Sequence, residues 1–306
     1  MNRVLSRGVR TLWLDKLANI LVVVLLMEMM VAAGLGVCLS DLAAVARNVP
    51  LLIRAGLANY VLVPAIAISL LYLFQANPIV ALGFLLVSVC PGAPFAPALR
   101  AIAKGQVAVS VGLMVILAAS SAVVAPLLLN SLSPLITHGA NLKIDTVKIV
   151  TTLLMTQFIP LGIGLLIRAK RPLIAEKLKK PANLLSAVLS LLVFALIIAL
   201  QYRTLVEIRA KGYLGISILV FLFLAAGLVL GGQPIALRKA IGLTTAARNV
   251  GVALVIATAS FPDTAAVTAV IVFAIFQTMI LVLFALLLAR VSATLQSLRR
   301  AFETTV

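Results

Sequence analysis

The sequence has few acidic residues, one histidine and two cysteines, and these shortages exclude several kinds of chemistry. Its 306 residues include 8 Asp and Glu, 1 His and 2 Cys. Cys38 and Cys90 lack the spacing of a metal site or a disulfide framework, and His138 belongs to no Ser/His/Asp or Cys/His pattern. We therefore expect no metal, no cofactor, no catalytic residues and no enzymatic activity.

Charged residues of either sign are also scarce. They make up 11% of the chain, whereas 63% is hydrophobic and the mean hydropathy is +1.23. A soluble domain keeps about a quarter of its residues charged, so we predict a polytopic membrane protein in contact with lipid. The net charge of +17 would suggest nucleic acid in a soluble protein. Here the Lys and Arg residues flank apolar segments, as expected at membrane surfaces, and we predict no nucleic-acid partner.

Apolar runs that are long enough to cross a membrane recur along the whole chain. A spanning helix needs about 20 apolar residues. On this rule we predict an all-α domain over residues 1–306 with nine spans, at 17–38, 51–74, 78–104, 106–129, 146–168, 182–201, 213–231, 239–261 and 264–289. The first run follows several arginines, as in a signal peptide, but it is long for one and more apolar segments follow.

The third predicted span is interrupted. Four helix-breaking residues fall within seven positions of the stretch 87–105, namely Pro91, Gly92, Pro94 and Pro97. Proline removes a backbone donor, and glycine tolerates almost any backbone angle. An unwound segment is not tolerated facing lipid, so it must be buried or line a cavity, and in transporters such breaks bind ligands and ions. We predict a weaker counterpart at Arg248–Gly251.

Basic loops predict the orientation. The loop 168–181 is rich in Lys and Arg, which places it in the cytoplasm together with the C-terminus, and we expect a cell inner membrane, with a plastid membrane as the alternative. Arg3, Arg7 and Arg10 then fall outside, which a surface-lying amphipathic start with Trp13 would accommodate.

Spans one to four and spans six to nine follow the same order. Each set has two plain helices, then an interrupted helix, then a long helix that is rich in alanine. Because they are offset by an odd number of crossings, the two halves would be inverted. We predict repeat 1 at about 17–129, a linking span at 146–168 and repeat 2 at about 182–289. Inverted repeats with matching interrupted helices are typical of secondary transporters.

Several motifs resemble the bile acid:sodium symporter family. They are Gly34-Leu-Gly36 with Leu39-Ser-Asp41, Cys90-Pro-Gly92, Ala103-Lys-Gly-Gln-Val-Ala-Val-Ser110 and, for the second crossover, Ala247-Arg-Asn-Val-Gly-Val-Ala253. The resemblance covers nearly the whole chain and is to the nine-span type. It implies a panel bundle, a core bundle in which two broken helices cross, and organic-anion transport driven by sodium.

The positions that help ligate sodium in that family are altered here. They are occupied by Asn59, Ala96, Pro97, Ser110, Met114, Thr244 and Arg248. Only Ser110 keeps a family-like ligand, and Thr244 and Arg248 stand where the family has Glu and Gln. Sodium needs several hard oxygen ligands, and a carboxylate helps to neutralise it. We carry over the fold but not the sodium coupling.

Arg248 lies within a predicted span, where a charge costs about 2.5–3.5 kcal/mol on insertion scales. Its guanidinium would replace the bound cation, bind a substrate carboxylate or sulfonate, or snorkel to the cytoplasmic surface. With Pro94, Phe95, Asn249 and Gln277 it forms our candidate substrate site, where helix N-termini favour an anion.

Glu28 is the only acid deep within a predicted span. It would form an ion pair with an arginine, relay protons, or be a polar residue without a role. With Asn59, Ser110 and Thr244 it is our candidate for cation or proton coupling.

Together these features predict a secondary active transporter that binds a small or amphipathic organic anion between the two bundles and works by alternating access. Coupling to sodium, coupling to protons through Glu28, and uncoupled transport all stay open. A receptor or scaffold of the same fold is the rival interpretation, although unwound backbone in a membrane argues for a use.

Overall fold

The computed structural model describes residues 2–103, 107–137, 145–208, 210–262 and 264–303. Within these ranges the chain is helical and contains no strand, so the predicted all-α fold is confirmed. The helices are α1 (Asn2–Gly36), α2 (Leu39–Arg47), α3 (Val49–Gly56), α4 (Val63–Leu73), α5 (Pro78–Val89), α6 (Ala96–Ile102), α7 (Val107–Ile136), α8 (Thr146–Leu153), α9 (Ile159–Lys170), α10 (Pro172–Glu207), α11 (Ala210–Leu230), α12 (Ile235–Ala246), α13 (Val250–Ser260) and α14 (Ala265–Glu303). Predicted features at residues 104–106 and His138 lie outside the described ranges.

Two long helices contain a π-helical turn. Leu57–Leu62 joins α3 to α4, and Leu154–Phe158 joins α8 to α9, without interrupting either helix. A proline soon follows each segment, at Pro64 and Pro160. Proline has no N–H to give to the preceding turn, and this favours local departures from the α-helical hydrogen-bond pattern.

Side chains at the helix starts satisfy otherwise unpaired backbone groups. Asn48, Asn77 and Asp145 each accept a hydrogen bond of 2.9–3.2 Å from a backbone N–H two or three residues further on. These are N-caps, which satisfy the first donors of a helix. They set the starts of α3, α5 and α8.

Eight stretches of the described chain, some of which join two of these helices, are long and apolar enough to cross a membrane. They cover Lys16–Gly36, Val49–Leu73, Val107–Ile136, Thr146–Lys170, Pro172–Leu200, Ala210–Leu230, Leu237–Ser260 and Ala265–Val291. The predicted span 78–104 is absent from this set because its break divides it into α5, of 12 residues, and α6, of 7. The start of the chain also differs from prediction: α1 is continuous from Asn2, so residues before Lys16 form no separate surface helix.

The helices form two groups, as expected for a panel and a core. The panel consists of α1, α9 and α10, and the core contains α3–α7 and α11–α14. Glycines allow close packing in the panel: a Cβ added to Gly34 of α1 would lie 2.5 Å from the Leu161 carbonyl oxygen of α9. Small residues let membrane helices approach in this way. The third crossing of each half is the interrupted one, while the inversion and the repeat boundaries stay predictions.

Candidate substrate site at the helix crossover

The first break lies between α5 and α6. Gly92 has φ +83°, a left-handed conformation that L side chains rarely adopt. A Cβ at this position would also lie 2.5 Å from the Ala118 backbone nitrogen of α7. Glycine is therefore required at this point for both its conformation and its size. Pro97, predicted to be part of the break, is the second residue of α6, where a proline is well tolerated.

The second break lies between α12 and α13, at residues 247–249. Asn249 caps α13, and its Oδ1 accepts a hydrogen bond of 3.2 Å from the Val252 N–H. Gly251, predicted to belong to the break, instead lies in the first turn of α13, because this cap starts the helix at Val250.

The two breaks meet. The Asn249 backbone N–H donates to the Cys90 carbonyl oxygen at 2.8 Å, and the Asn249 carboxamide donates to the Gly92 carbonyl oxygen at 3.3 Å. Backbone groups freed by one interruption are thus satisfied by the other, as buried polar groups require. The predicted crossing of two broken helices is present in this arrangement.

Arg248 occupies the centre of the crossover and is fully buried. Its Nε donates to the Val87 carbonyl oxygen at 3.2 Å, and one terminal nitrogen donates to the Ser88 carbonyl oxygen. The other terminal nitrogen donates to the Thr245 carbonyl oxygen at 3.3 Å. These carbonyls lie at the C-terminal ends of α5 and α12, where the helix dipoles favour a positive charge.

Side chains complete the shell around Arg248. Its guanidinium donates to Asn59 Oδ1, and Asn59 Nδ2 donates to the Thr245 hydroxyl at 3.1 Å. Gln277 holds the Arg248 backbone at both polar groups, accepting from its N–H at 2.7 Å and donating to its carbonyl at 3.2 Å. The Phe223 ring lies 5.9 Å from the guanidinium carbon, within cation–π range.

No carboxylate balances this charge in the part of the chain that the structure describes. The ion pairs there both involve Glu176, which contacts Arg168 at 2.7 Å and Lys179 at 3.9 Å. Helix ends, amides and an aromatic ring therefore hold the guanidinium in place of a carboxylate. A guanidinium without a described carboxylate partner, together with the N-terminal end of α13, favours an anion nearby.

A cavity of about 290 Å³ lies beside the crossover, between the panel and the core. Pro94, Phe95, Arg248 and Asn249, four of the five predicted substrate residues, line it. Its remaining walls come mainly from apolar side chains of α1, α6, α10, α13 and α14. Gln277 does not line the cavity, because it holds the Arg248 backbone instead.

A larger cavity, of about 370 Å³, lies among α4, α5, α11 and α14. Its lining is apolar except for Lys211 and Thr268, and it includes no residue of either break. We therefore place the candidate site at the smaller cavity.

No hydrogen bond joins the four predicted coupling residues to one another among the described residues. Asn59 contacts Arg248, whereas the hydroxyl groups of Ser110 and Thr244 are buried without a hydrogen-bond partner among the described residues. Glu28 lies in the panel, where Ser186 of α10 donates to one of its oxygens and the other has no described partner. The structure therefore shows no Glu28–arginine pair between described residues.

Sequence reasoning missed Gln157, a fully buried residue of the second π-helical segment. Its Oε1 accepts a hydrogen bond of 2.9 Å from the Asn249 carboxamide. Its Nε2 donates to the Ala118 carbonyl oxygen and, at 3.2 Å, to the Ser121 hydroxyl of α7. The available signal was a single amide in an apolar run, three residues before Pro160.

Comparison with known proteins supports the family resemblance that the sequence motifs indicated. The family model described as "Sodium Bile acid symporter family" matches residues 23–208, more than half of the chain. A search of the curated proteins finds no match.

Proposed function

Because the chain belongs to the sodium bile acid symporter family, we propose that it is a secondary transporter that carries an organic anion without sodium. A transporter family also agrees with the predicted lack of enzymatic activity. The substrate would bind in the cavity between panel and core, and the two bundles would move against each other. We place the protein in a cell inner membrane with its C-terminus in the cytoplasm.

One observation carries the sodium-independent part of the proposal: the Arg248 guanidinium occupies the carbonyl-lined gap between α5 and α12. It bonds to the Val87, Ser88 and Thr245 carbonyl oxygens and to Asn59 Oδ1. A sodium ion would need oxygen ligands of this kind. Four donated hydrogen bonds already use these oxygens, so Arg248 serves as a covalently attached cation.

The same contacts favour one role for Arg248 over the others open from the sequence. Its donors face protein acceptors, which disfavours both a bidentate fork to the substrate and snorkelling to the surface. An anion in the cavity would instead feel the charge of Arg248 and the N-terminal end of α13 through space. The apolar walls suit a substrate with an apolar body.

The test is the thermal stability of the purified protein with taurocholate, octanoate and phenylacetate, each in sodium and in potassium buffer. A ligand that binds only the folded state stabilises it by about 2.7 kcal/mol at 100 times its Kd. We expect at least one anion to raise the unfolding temperature equally in both buffers. Stabilisation by sodium alone, or by anions only in sodium, would sink the fixed-cation proposal.

Variants of Arg248 test whether the anion that raises the unfolding temperature binds beside the crossover. Arg248→Gln should abolish the anion-induced shift relative to its own baseline, and Arg248→Lys should retain part of it because the charge is kept. Arg171→Gln is the matched control, since Arg171 is exposed at the start of α10. If Arg248→Gln and Arg171→Gln both keep the full shift, the anion site lies elsewhere.

Proton coupling through Glu28 is a second candidate, favoured by its buried oxygen without a described partner in the membrane-crossing part of α1. Proton movement would be followed with a pH-sensitive dye inside proteoliposomes during octanoate uptake. Glu28→Gln should abolish a coupled proton flux. Equal proton flux in the variant would exclude Glu28 as the coupling residue, and no proton flux in the unmodified protein would leave uncoupled transport as the proposal.

A further inference from the structure

The helix that runs from Thr146 to Lys170 contacts both bundles, but with different halves. α8 packs mainly against α7 and α13 of the core, whereas α9 packs against α1 and α10 of the panel. The π-helical segment Leu154–Phe158 lies between these halves. A single membrane-crossing helix therefore belongs to the core at one end and to the panel at the other.

Polar contacts from α8 and from the π-helical segment join this helix to both ends of α13. Lys148 Nζ donates to the Ala259 carbonyl oxygen at 2.9 Å, near the C-terminus of α13. Gln157 accepts from the Asn249 carboxamide at 2.9 Å, at the N-cap of α13. The two helices are thus connected at two separated points, which holds them side by side.

The second half of the helix, α9, packs closely against the panel helices α1 and α10. A Cβ added to Gly164 of α9 would lie 2.9 Å from the Gly34 Cα of α1, so the two backbones touch. Arg168 of α9 pairs with Glu176 of α10 at 2.7 Å. A movement of the core against the panel cannot keep both sets of contacts unless the helix between them bends.

The segment between the halves has the features of a bending point. A π-helical turn is wider than an α-helical turn and is often found at functional sites. Pro160 follows it and has no N–H to donate to the preceding turn. Sharp bends in helices occur at such bulges and at prolines.

We propose that the helix Thr146–Lys170 is jointed at Leu154–Phe158: α8 travels with the core, and α9 stays with the panel. Gln157 links the joint to the substrate site, because its partner Asn249 lines the cavity and caps α13. Gln157 is thus a positioning residue. The inference rests on the proposed function, since it requires movement between the bundles.

The test begins by locking panel to core with the variant Leu26→Cys/Gly251→Cys. A Cβ at position 251 lies 3.8 Å from the Leu26 Cβ, close to the mean Cβ separation of a disulfide. Cys38 and Cys90 are replaced by serine in this protein. Reduction of the engineered disulfide then releases the panel without any need for a known substrate.

Distances are measured by pulsed electron paramagnetic resonance before and after reduction. In one sample, maleimide spin labels are attached to cysteines introduced by Val147→Cys in α8 and Val123→Cys in α7. A second sample carries them at Leu166→Cys in α9 and Val123→Cys, and labelling is done while the engineered disulfide is closed. All three side chains are exposed, so the labels should not disturb packing. The thioether bonds of the labels survive the reductant.

We expect the Val147–Val123 distance to stay unchanged and the Leu166–Val123 distance to shift or broaden by several ångströms on reduction. If both distances change together, the helix moves as one body with the panel and the joint is overturned. If neither changes, the panel does not move against the core, and the transport proposal itself falls.

A second variant tests the link through Gln157. Gln157→Met keeps the length of the side chain but removes its hydrogen bonds, and should broaden the Val147–Val123 distance after reduction. Gln157→Glu keeps an oxygen that accepts from Asn249 and should restore a narrow distance. A broad distance in both variants, or a narrow one in both, would remove Gln157 from the proposal.

Discussion

Leu57–Leu62 and Leu154–Phe158 are both π-helical segments within membrane-crossing helices, and each directs one buried amide toward the second break. Asn59 of the first segment bonds to Arg248, and Gln157 of the second bonds to the neighbouring Asn249. Both segments also contact the middle of α7, Tyr60 through the Leu117 carbonyl and Gln157 through that of Ala118.

Their surroundings differ. The first segment and the halves on either side of it pack within the core, against α5, α7 and α11, whereas the second separates a core-bound half from a panel-bound half. The same local distortion thus holds the crossover rigid at one place and allows bending at the other. Neighbouring helices, more than the π-turn itself, decide which role it takes.

The largest effect is expected from removing Arg248, which the amide of the first segment, Asn59, helps to hold. Arg248→Leu removes the guanidinium donor from the Ser88 and Thr245 carbonyls and from Asn59 Oδ1, at roughly 1–3 kcal/mol for each buried group left unsatisfied. The Val87 carbonyl keeps the Cys90 N–H as a donor. We expect a net loss of about 3–5 kcal/mol, because burial of the charge is relieved at the same time. The unfolding temperature should fall by about 10 °C, and Arg248→Lys should recover part of it. An unchanged unfolding temperature would contradict the structural role of Arg248.

Smaller losses of stability are expected when either buried amide is removed, and the two losses should differ. Asn59→Leu removes an acceptor for the buried guanidinium and should cost about 2–3 kcal/mol of stability, because hydrogen bonds to charged groups are the stronger ones. Gln157→Leu removes bonds between neutral groups and should cost about 1–2 kcal/mol. Thermal unfolding of the two variants in the same detergent shows which of them loses more stability. The reverse order would mean that the second segment carries the greater structural load.

Pro64 and Pro160, which follow the two π-helical segments, should differ in their effect on the labelled distances while changing stability only slightly. Pro160→Ala restores a backbone donor after the bending segment and should narrow the Leu166–Val123 distance distribution after release of the panel. Pro64→Ala is the matched control in the first segment and should leave that distribution unchanged. Each should alter stability by less than about 1 kcal/mol, since both prolines lie near the start of an α-helical stretch. Equal narrowing by both would refute the assigned difference.

The smallest effect on the labelled distances is expected from removing one hydroxyl group. Tyr60→Phe removes hydrogen bonds to the Leu117 carbonyl, at 3.1 Å, and to the Ser120 hydroxyl. We expect a loss of about 1 kcal/mol, seen as a small drop in unfolding temperature, with no change in either labelled distance. A changed Leu166–Val123 distance would show that the first segment also takes part in the movement.

The sequence was informative where composition alone constrains the backbone. Apolar runs predicted the membrane helices, Pro91 and Gly92 predicted the first break, and the family-like motif at residues 247–253 predicted the second. The structure then brings Phe95, Arg248 and Asn249 to one cavity.

Other features depend on which helices become neighbours, and local sequence does not contain that information. Gln157 was missed because a single amide in an apolar run has no distinctive spacing. Glu28 was considered a partner for an arginine, yet it lies against Ser186 of α10. The division of one helix between two bundles follows from contacts with distant segments.

A cation that is part of the chain cannot leave it, and this limits the work that the proposed transporter can do. A dissociable ion gives up free energy as it runs down its own gradient, but Arg248 starts and ends every cycle in the protein. Without another coupled ion, the final accumulation ratio of the anion would be set by the membrane voltage alone. At 100 mV, inside negative, about 2.3 kcal/mol per charge opposes entry of a monoanion, a ratio of roughly fiftyfold in favour of the outside. Such a carrier would equilibrate its substrate, and it would serve a cell best as a route of release.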